Sequence, residues 1–66
     1  MDFIYVLING DSWEDMVIFL TEAEAIQATI TYSNIRVEIF AKHDDFGYTP
    51  SFNYYQHGIL KSCLHE

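Results

Sequence analysis

Residues 3–8, FIYVLI, form an unbroken apolar run of β-branched and aromatic side chains, which predicts a β-strand. Asn9-Gly10 follows, a pair that tolerates positive φ at both positions and so predicts a tight turn. DSWED (11–15) reads as the rest of that loop or the start of the next strand. MVIFL (16–20) reads as the second strand of an antiparallel hairpin. The rhythm then changes. Thr21 stands three residues before Glu24, the spacing of a capping box, in which hydroxyl and carboxylate satisfy backbone N–H groups at a helix start. Glu22 and Glu24 fall in the first turn, where the helix dipole favours negative charge. A helix is predicted from about Glu22 to Tyr32, with Ala23, Ile26 and Ile30 on its inward face and Ser33-Asn34 ending it.

NIRVEIFAK (34–42) alternates with a period of two: Ile35, Val37, Ile39 and Ala41 on one side, Arg36, Glu38 and Lys42 on the other. That predicts a half-buried strand, followed by a loop at HDDFG (43–47). In GYTPSFNYYQHG (47–58) the alternation continues. Phe46, Tyr48, Phe52 and Tyr54 share one parity with Pro50, and Thr49, Ser51 and Asn53 stand between them. The segment reads as a strand with its rings inward and Tyr55 outward. Pro50 cannot donate to a ladder and belongs at an edge or a strand start. Gln56-His57-Gly58 is a turn, and ILKSCLHE (59–66) a short final strand with a frayed end. The expected fold is α+β: a two-layer β-β-α-β-β arrangement, mainly antiparallel sheet, with one helix packed on one face, in a single domain over residues 1–66.

One short helix covers one face of a sheet. The first hairpin, however, is apolar on both faces, a pattern that marks burial on both sides. Either the segment Ile59 to Leu64 folds over the second face, or a second copy or another protein covers it. Exposed apolar patches beyond a few hundred Å² mark interaction sites, and a chain of 66 residues has little core of its own. The expected contact is Ile4, Val6, Ile8, Val17 and Phe19, with Trp13 at its rim or folded back over the hairpin. Tyr55 and His57 are outward candidates of a weaker kind.

Composition narrows the function. Half of the residues are hydrophobic and 17% aromatic, so the chain folds. The formal net charge is −7, from three basic and ten acidic residues. That disfavours direct nucleic-acid binding, where Lys and Arg supply most of the affinity, and it disfavours anionic membrane surfaces. No apolar run approaches the roughly 20 residues of a membrane span. Met1-Asp2 lacks the basic start of a secretory signal. The single cysteine, Cys63, excludes an internal disulfide and suits a reducing, intracellular compartment.

Chemistry is sparse. His43-Asp44-Asp45 and the set His57, Cys63, His65 lack the paired spacings of a zinc site. Asp11, Glu14 and Asp15 lack the oxygen pattern of a calcium loop. Adjacent carboxylates point apart, and no nucleophile–base pair or phosphate loop is present. No catalytic residue, metal or cofactor is expected, and the chain reads as a non-enzyme.

VEIF (37–40) followed by GYTPSFNYYQHG, taken with INGDSWEDMVIFLTEAEAI, resembles short uncharacterised proteins encoded by large nucleocytoplasmic DNA viruses. The resemblance implies a small accessory or virion-associated protein of an infected cell and assigns no residue a role. The expected function is an acidic protein–protein interaction or assembly module, closed by a protein partner or by self-association as a homodimer. The alternative is an acidic decoy that mimics nucleic acid before a basic protein, using Asp11, Glu14, Asp15, Asp44 and Asp45.

Overall fold

The computed structural model describes residues 2–8 and 13–62. The chain runs β1 (Phe3–Leu7), a 3₁₀ turn (Trp13–Asp15), β2 (Val17–Phe19), α1 (Glu22–Thr31), β3 (Val37–His43), β4 (Gly47–Gln56) and β5 (Ile59–Ser62). The strands form one antiparallel sheet in the order β2-β1-β3-β4-β5. The single described helix packs on one side of it, giving the expected α+β, two-layer arrangement. The predicted Asn9-Gly10 turn lies outside the described residues.

The registers assign the paired strand residues to faces. Tyr5 pairs with Phe19 and Ile39, and Leu7 with Val17 and Val37; Val37 pairs in turn with Tyr55, and Tyr55 with Leu60. Antiparallel partners share a face, so these residues form the helix side. Tyr5, Leu7, Val37, Ile39 and Tyr55 are buried there against Ala25, with Phe19, Ile26, Ala28 and Ile35 at the margin. The complementary set is Ile4 with Phe40, Val6 with Ile18 and Glu38, Lys42 with Tyr48, and Tyr54 with Lys61. It lies on the opposite side, where no described element packs.

The capping box forms with one change. The Glu24 backbone N–H donates to Thr21 Oγ1 at 3.3 Å, and the Thr21 hydroxyl donates to Glu24 Oε1 at 2.9 Å, so the carboxylate takes the hydroxyl rather than a backbone group. The inward helix face differs from the expected one. Ala23 and Ile30 are exposed, whereas Ala25 and Thr29 are both 0% exposed. Small side chains at the contact let helix and sheet approach closely, and the bulky Ile30 is left to lie over the β4–β5 turn. There Gly58 sits at φ +74 with Ile30 Cγ1 only 3.0 Å from where a Cβ would be. Gln56–Ile59 close that turn with positive φ at both His57 and Gly58, the backbone of a type I′ hairpin. Thr29 fastens the turn to the helix. Its hydroxyl accepts from the Gly58 N–H at 2.9 Å and donates to the Ile26 carbonyl at 2.8 Å. His57 Nε2 donates to the Ser33 carbonyl at 2.7 Å.

β4 departs from regularity at its middle. Phe40 pairs with Pro50 but Ile39 pairs with Asn53, so Ser51 and Phe52 are extra residues in a bulge. Phe52 takes φ 68, and the Ser51 hydroxyl supplies the Ile39 carbonyl with a donor at 2.7 Å where the ladder is interrupted. Pro50 is tolerated because β5 pairs only with residues 53–56, which leaves the outer side of β4 open at Pro50.

The aromatic parity in β4 is as predicted, but its side is reversed. Tyr48, Pro50 and Tyr54 share the face opposite the helix, and the odd set, ending in Tyr55, faces it. Phe46 lies in the exposed β3–β4 turn, and Phe52 is 54% exposed at the bulge. A period of two says which residues share a face; it does not say which face the helix covers.

Candidate interaction surface

The open face of the sheet is built from the even-numbered residues of β1 to β4 and the odd-numbered residues of β5. β1 and β2 contribute Ile4, Val6 and Ile18, and β5 contributes Ile59. Val6, 3% exposed, stands between its cross-strand partners Ile18 and Glu38, while Ile18 and Ile59 are 58% and 59% exposed. β3 and β4 add Phe40, Tyr48 and Tyr54, all half-buried. Charge enters among the rings. Arg36 stacks its guanidinium 4.4 Å from the centre of the Tyr54 ring and forms a 2.6 Å ion pair with Glu38. Lys42 Nζ lies 5.6 Å from the centre of the Tyr48 ring, and Lys61 donates to Gln56 Oε1 at 3.3 Å. The rings and stems form an amphipathic surface, with cationic heads at its outer level.

The expected contact set divides. Ile4 and Val6 belong to the open face, and Ile8, next in the alternation after β1, is exposed. Val17 and Phe19 are on the helix side, as cross-strand partners of Leu7 and Tyr5. They line an apolar groove between β2 and α1, with Ala23, Ala28 and Tyr32 on its other wall. The hairpin is apolar on both faces, but one set belongs to the core; Ile18 is the residue of β2 that reaches the open side. Trp13, 76% exposed, begins the 3₁₀ turn, whose carbonyl accepts from the Met16 N–H at 3.2 Å.

Tyr55 is not an outward contact. It is 7% exposed, with its ring 6.4 Å from that of Tyr5 and its hydroxyl donating to Glu22 Oε2. The hydrogen bond to Glu22, together with burial and the Glu22 charge, pushes the Tyr55 phenol up to about 12. Burial, and secondarily the Glu22 charge, raises that of Tyr5. This pair and Glu22 hold the helix N-terminus to the sheet.

The acidic candidates are dispersed. Glu14 and Asp15 lie in the 3₁₀ turn between β1 and β2, beyond the Leu7 end of the sheet. Asp44 and Asp45 lie in the β3–β4 turn at the Phe3 end, where Phe3 pairs with Ala41. These pairs are at opposite ends, and Asp11 lies outside the described residues. Among the described residues no three His, Cys, Asp or Glu side chains gather as a metal-binding group, and Cys63 and His65 lie outside them. Also among these residues, no helix is long and apolar enough to cross a membrane.

The open face was missed in part because its cations look like ordinary solvated positions in sequence. The usable signal was parity: Arg36, just before β3, shares it with Glu38, Phe40 and Lys42 of that strand, as do Tyr48 and Tyr54 in β4. Comparison with known protein families, curated proteins and solved structures finds no match to this chain.

Proposed function

We propose that this chain is a small protein-interaction module whose contact surface is the open face of its sheet. One observation carries the reading. The described helix packs on one side of a five-stranded sheet, while the other presents Ile4, Ile18, Phe40, Tyr54 and Ile59 with no described element over them. β5 lies in the plane of the sheet as an edge strand, so residues 59–62 do not fold across that side. Such a surface is stabilised by burial against another polypeptide, which also adds the buried area that a domain of this size lacks. The acidic-decoy reading draws no support from the geometry, because Glu14–Asp15 and Asp44–Asp45 stand at opposite ends of the sheet. The resemblance of VEIF and GYTPSFNYYQHG to short proteins of large nucleocytoplasmic DNA viruses supports an accessory or virion-associated role within an infected cell.

Site-specific photo-cross-linking in the producing cell tests this. A photoreactive phenylalanine replaces Ile18 or Ile59 on the open face, or Glu24 or Gln27 on the helix. Discrete protein adducts from the first pair and none from the second are expected. Adducts from the helix positions alone would overturn the assignment of the face.

A further inference from the structure

The chain has three basic residues, Arg36, Lys42 and Lys61. All three stand on the open face. Arg36 is placed there by its stack on Tyr54, Lys42 by its register with Tyr48, and Lys61 by its register with Tyr54. Glu38 is the acidic residue within the strands of this face, and Asp2 flanks Lys42 from just before β1. Elsewhere in the described structure, the 3₁₀ turn, the helix and the β3–β4 turn carry Glu14, Asp15, Glu22, Glu24, Asp44 and Asp45, with no Lys or Arg among them. On a chain with a net charge of −7, gathering every cation on the uncovered apolar face gives that face its own sign.

We propose that the occupant of this face is an acidic segment of a partner protein, its carboxylates against Arg36, Lys42 and Lys61 and its apolar side chains against Ile4, Ile18 and Ile59. This deepens the interaction-module reading and rests on it. Lys42 stands four residues along β3 from Glu38, whose row across the sheet holds Tyr54 and Lys61; at about 3.3 Å per residue that is about 13 Å. An extended segment of a few residues spans both cationic ends. Opposite charges across the contact steer encounter and fix register. A second copy docked face to face sets like charges on both halves, which opposes a two-fold pairing. A single-stranded nucleic acid also uses rings and cations. Here, though, the isoleucines offer nothing to phosphates, and the acidic remainder of the molecule repels the backbone at long range.

The test uses labelled synthetic peptides in which Glu alternates with Leu, together with the Lys and Gln counterparts and an oligo-dT strand, followed by fluorescence anisotropy with the whole chain. The Glu peptide is expected to bind, to weaken with added salt, and to lose about tenfold in affinity in the variant R36Q/K42Q/K61Q. A smaller loss in the same direction is expected for K42Q/K61Q, which leaves the Arg36–Tyr54 stack intact. The variant I18S/I59S reports on the face itself. If the Lys or Gln peptide binds as tightly and I18S/I59S abolishes that binding, the face stands and the acidic occupant is overturned. If the Glu peptide binds but ignores both sets of substitutions, the interaction-module reading fails as well. Absence of Glu-peptide binding, oligo-dT binding lost in the cation variant, or concentration-dependent mass that this variant abolishes would each overturn the proposal.

Discussion

Replacing Thr29 by Val asks whether one buried hydroxyl ties the β4–β5 turn to the helix. The two side chains have the same shape and nearly equal helix propensity, and Thr29 is 0% exposed, so the exchange leaves no cavity. It removes the acceptor of the Gly58 N–H at 2.9 Å and the donor to the Ile26 carbonyl at 2.8 Å. The Ile26 carbonyl is in the helix interior and keeps its place in the backbone ladder. The Gly58 N–H is left without its acceptor in a part-buried turn, which costs about 1–3 kcal/mol. A domain of this size has a total stability of roughly 3–10 kcal/mol, so the loss is a sizeable fraction of it. For a small domain, each kcal/mol lowers Tm by about 4–8 °C. Thermal and urea unfolding give the global loss, and amide hydrogen exchange at Gly58 gives the local one. The Val variant should unfold earlier and exchange Gly58 faster than neighbouring β4 amides. Stability within about 0.5 kcal/mol of wild type, with unchanged Gly58 exchange, would refute the reasoning.

Three further substitutions probe the same construction. Gly58→Ala places a Cβ 3.0 Å from Ile30 Cγ1 at φ +74 and should destabilise by about 1–2 kcal/mol, read by urea titration; an unchanged midpoint would contradict it. Phe52→Asn puts a residue that tolerates positive φ at φ 68, where the native ring is 54% exposed. It should stabilise by about 0.5–1 kcal/mol, and a loss of stability would show the ring to be held by packing. Tyr55→Phe removes the bond to Glu22 and should cost about 1 kcal/mol at neutral pH. In the wild type the phenol ionises near 10 when unfolded and only near 12 when folded. Its stabilising share is therefore complete below pH 10 and lost as pH rises through 12. Stability of the Phe variant should fall less steeply across that window, and parallel curves would contradict the assignment.

Element order and type were legible because each element carries its own local signal: the apolar run of 3–8, the Thr21–Glu24 box, and the alternation of 35–41. That one helix reaches only one face of the sheet was legible too, and no described element packs on the other. Sidedness was not. Tyr48 and Tyr54 obey the predicted parity but face away from the helix, because the covered side is chosen by long-range register, which ties Tyr55 to Val37 and Leu60. The same ambiguity placed Val17 and Phe19 on the wrong side of β2. The helix face was legible only in part: the i, i+3, i+7 spacing selects Ala23, Ile26 and Ile30, of which Ile26 packs against the core, whereas the closest contact with the sheet falls on Ala25 and Thr29. The convergence of Arg36, Lys42 and Lys61 depends on β4 bringing Tyr54 between β3 and β5, a pairing with no signal in local sequence.

The central claim is that the open sheet face, rather than the groove beside the helix, is the docking surface. The most direct measurement is an amide chemical-shift titration of the labelled chain with 8-anilinonaphthalene-1-sulfonate, a probe that joins apolar rings to a negative charge. The account predicts shifts centred on Ile4, Ile18, Phe40, Tyr54 and Lys61, and their loss in R36Q/K42Q/K61Q. Shifts centred on Val17, Ala23, Ala28 and Tyr32 would place the docking surface in the helix groove and contradict it.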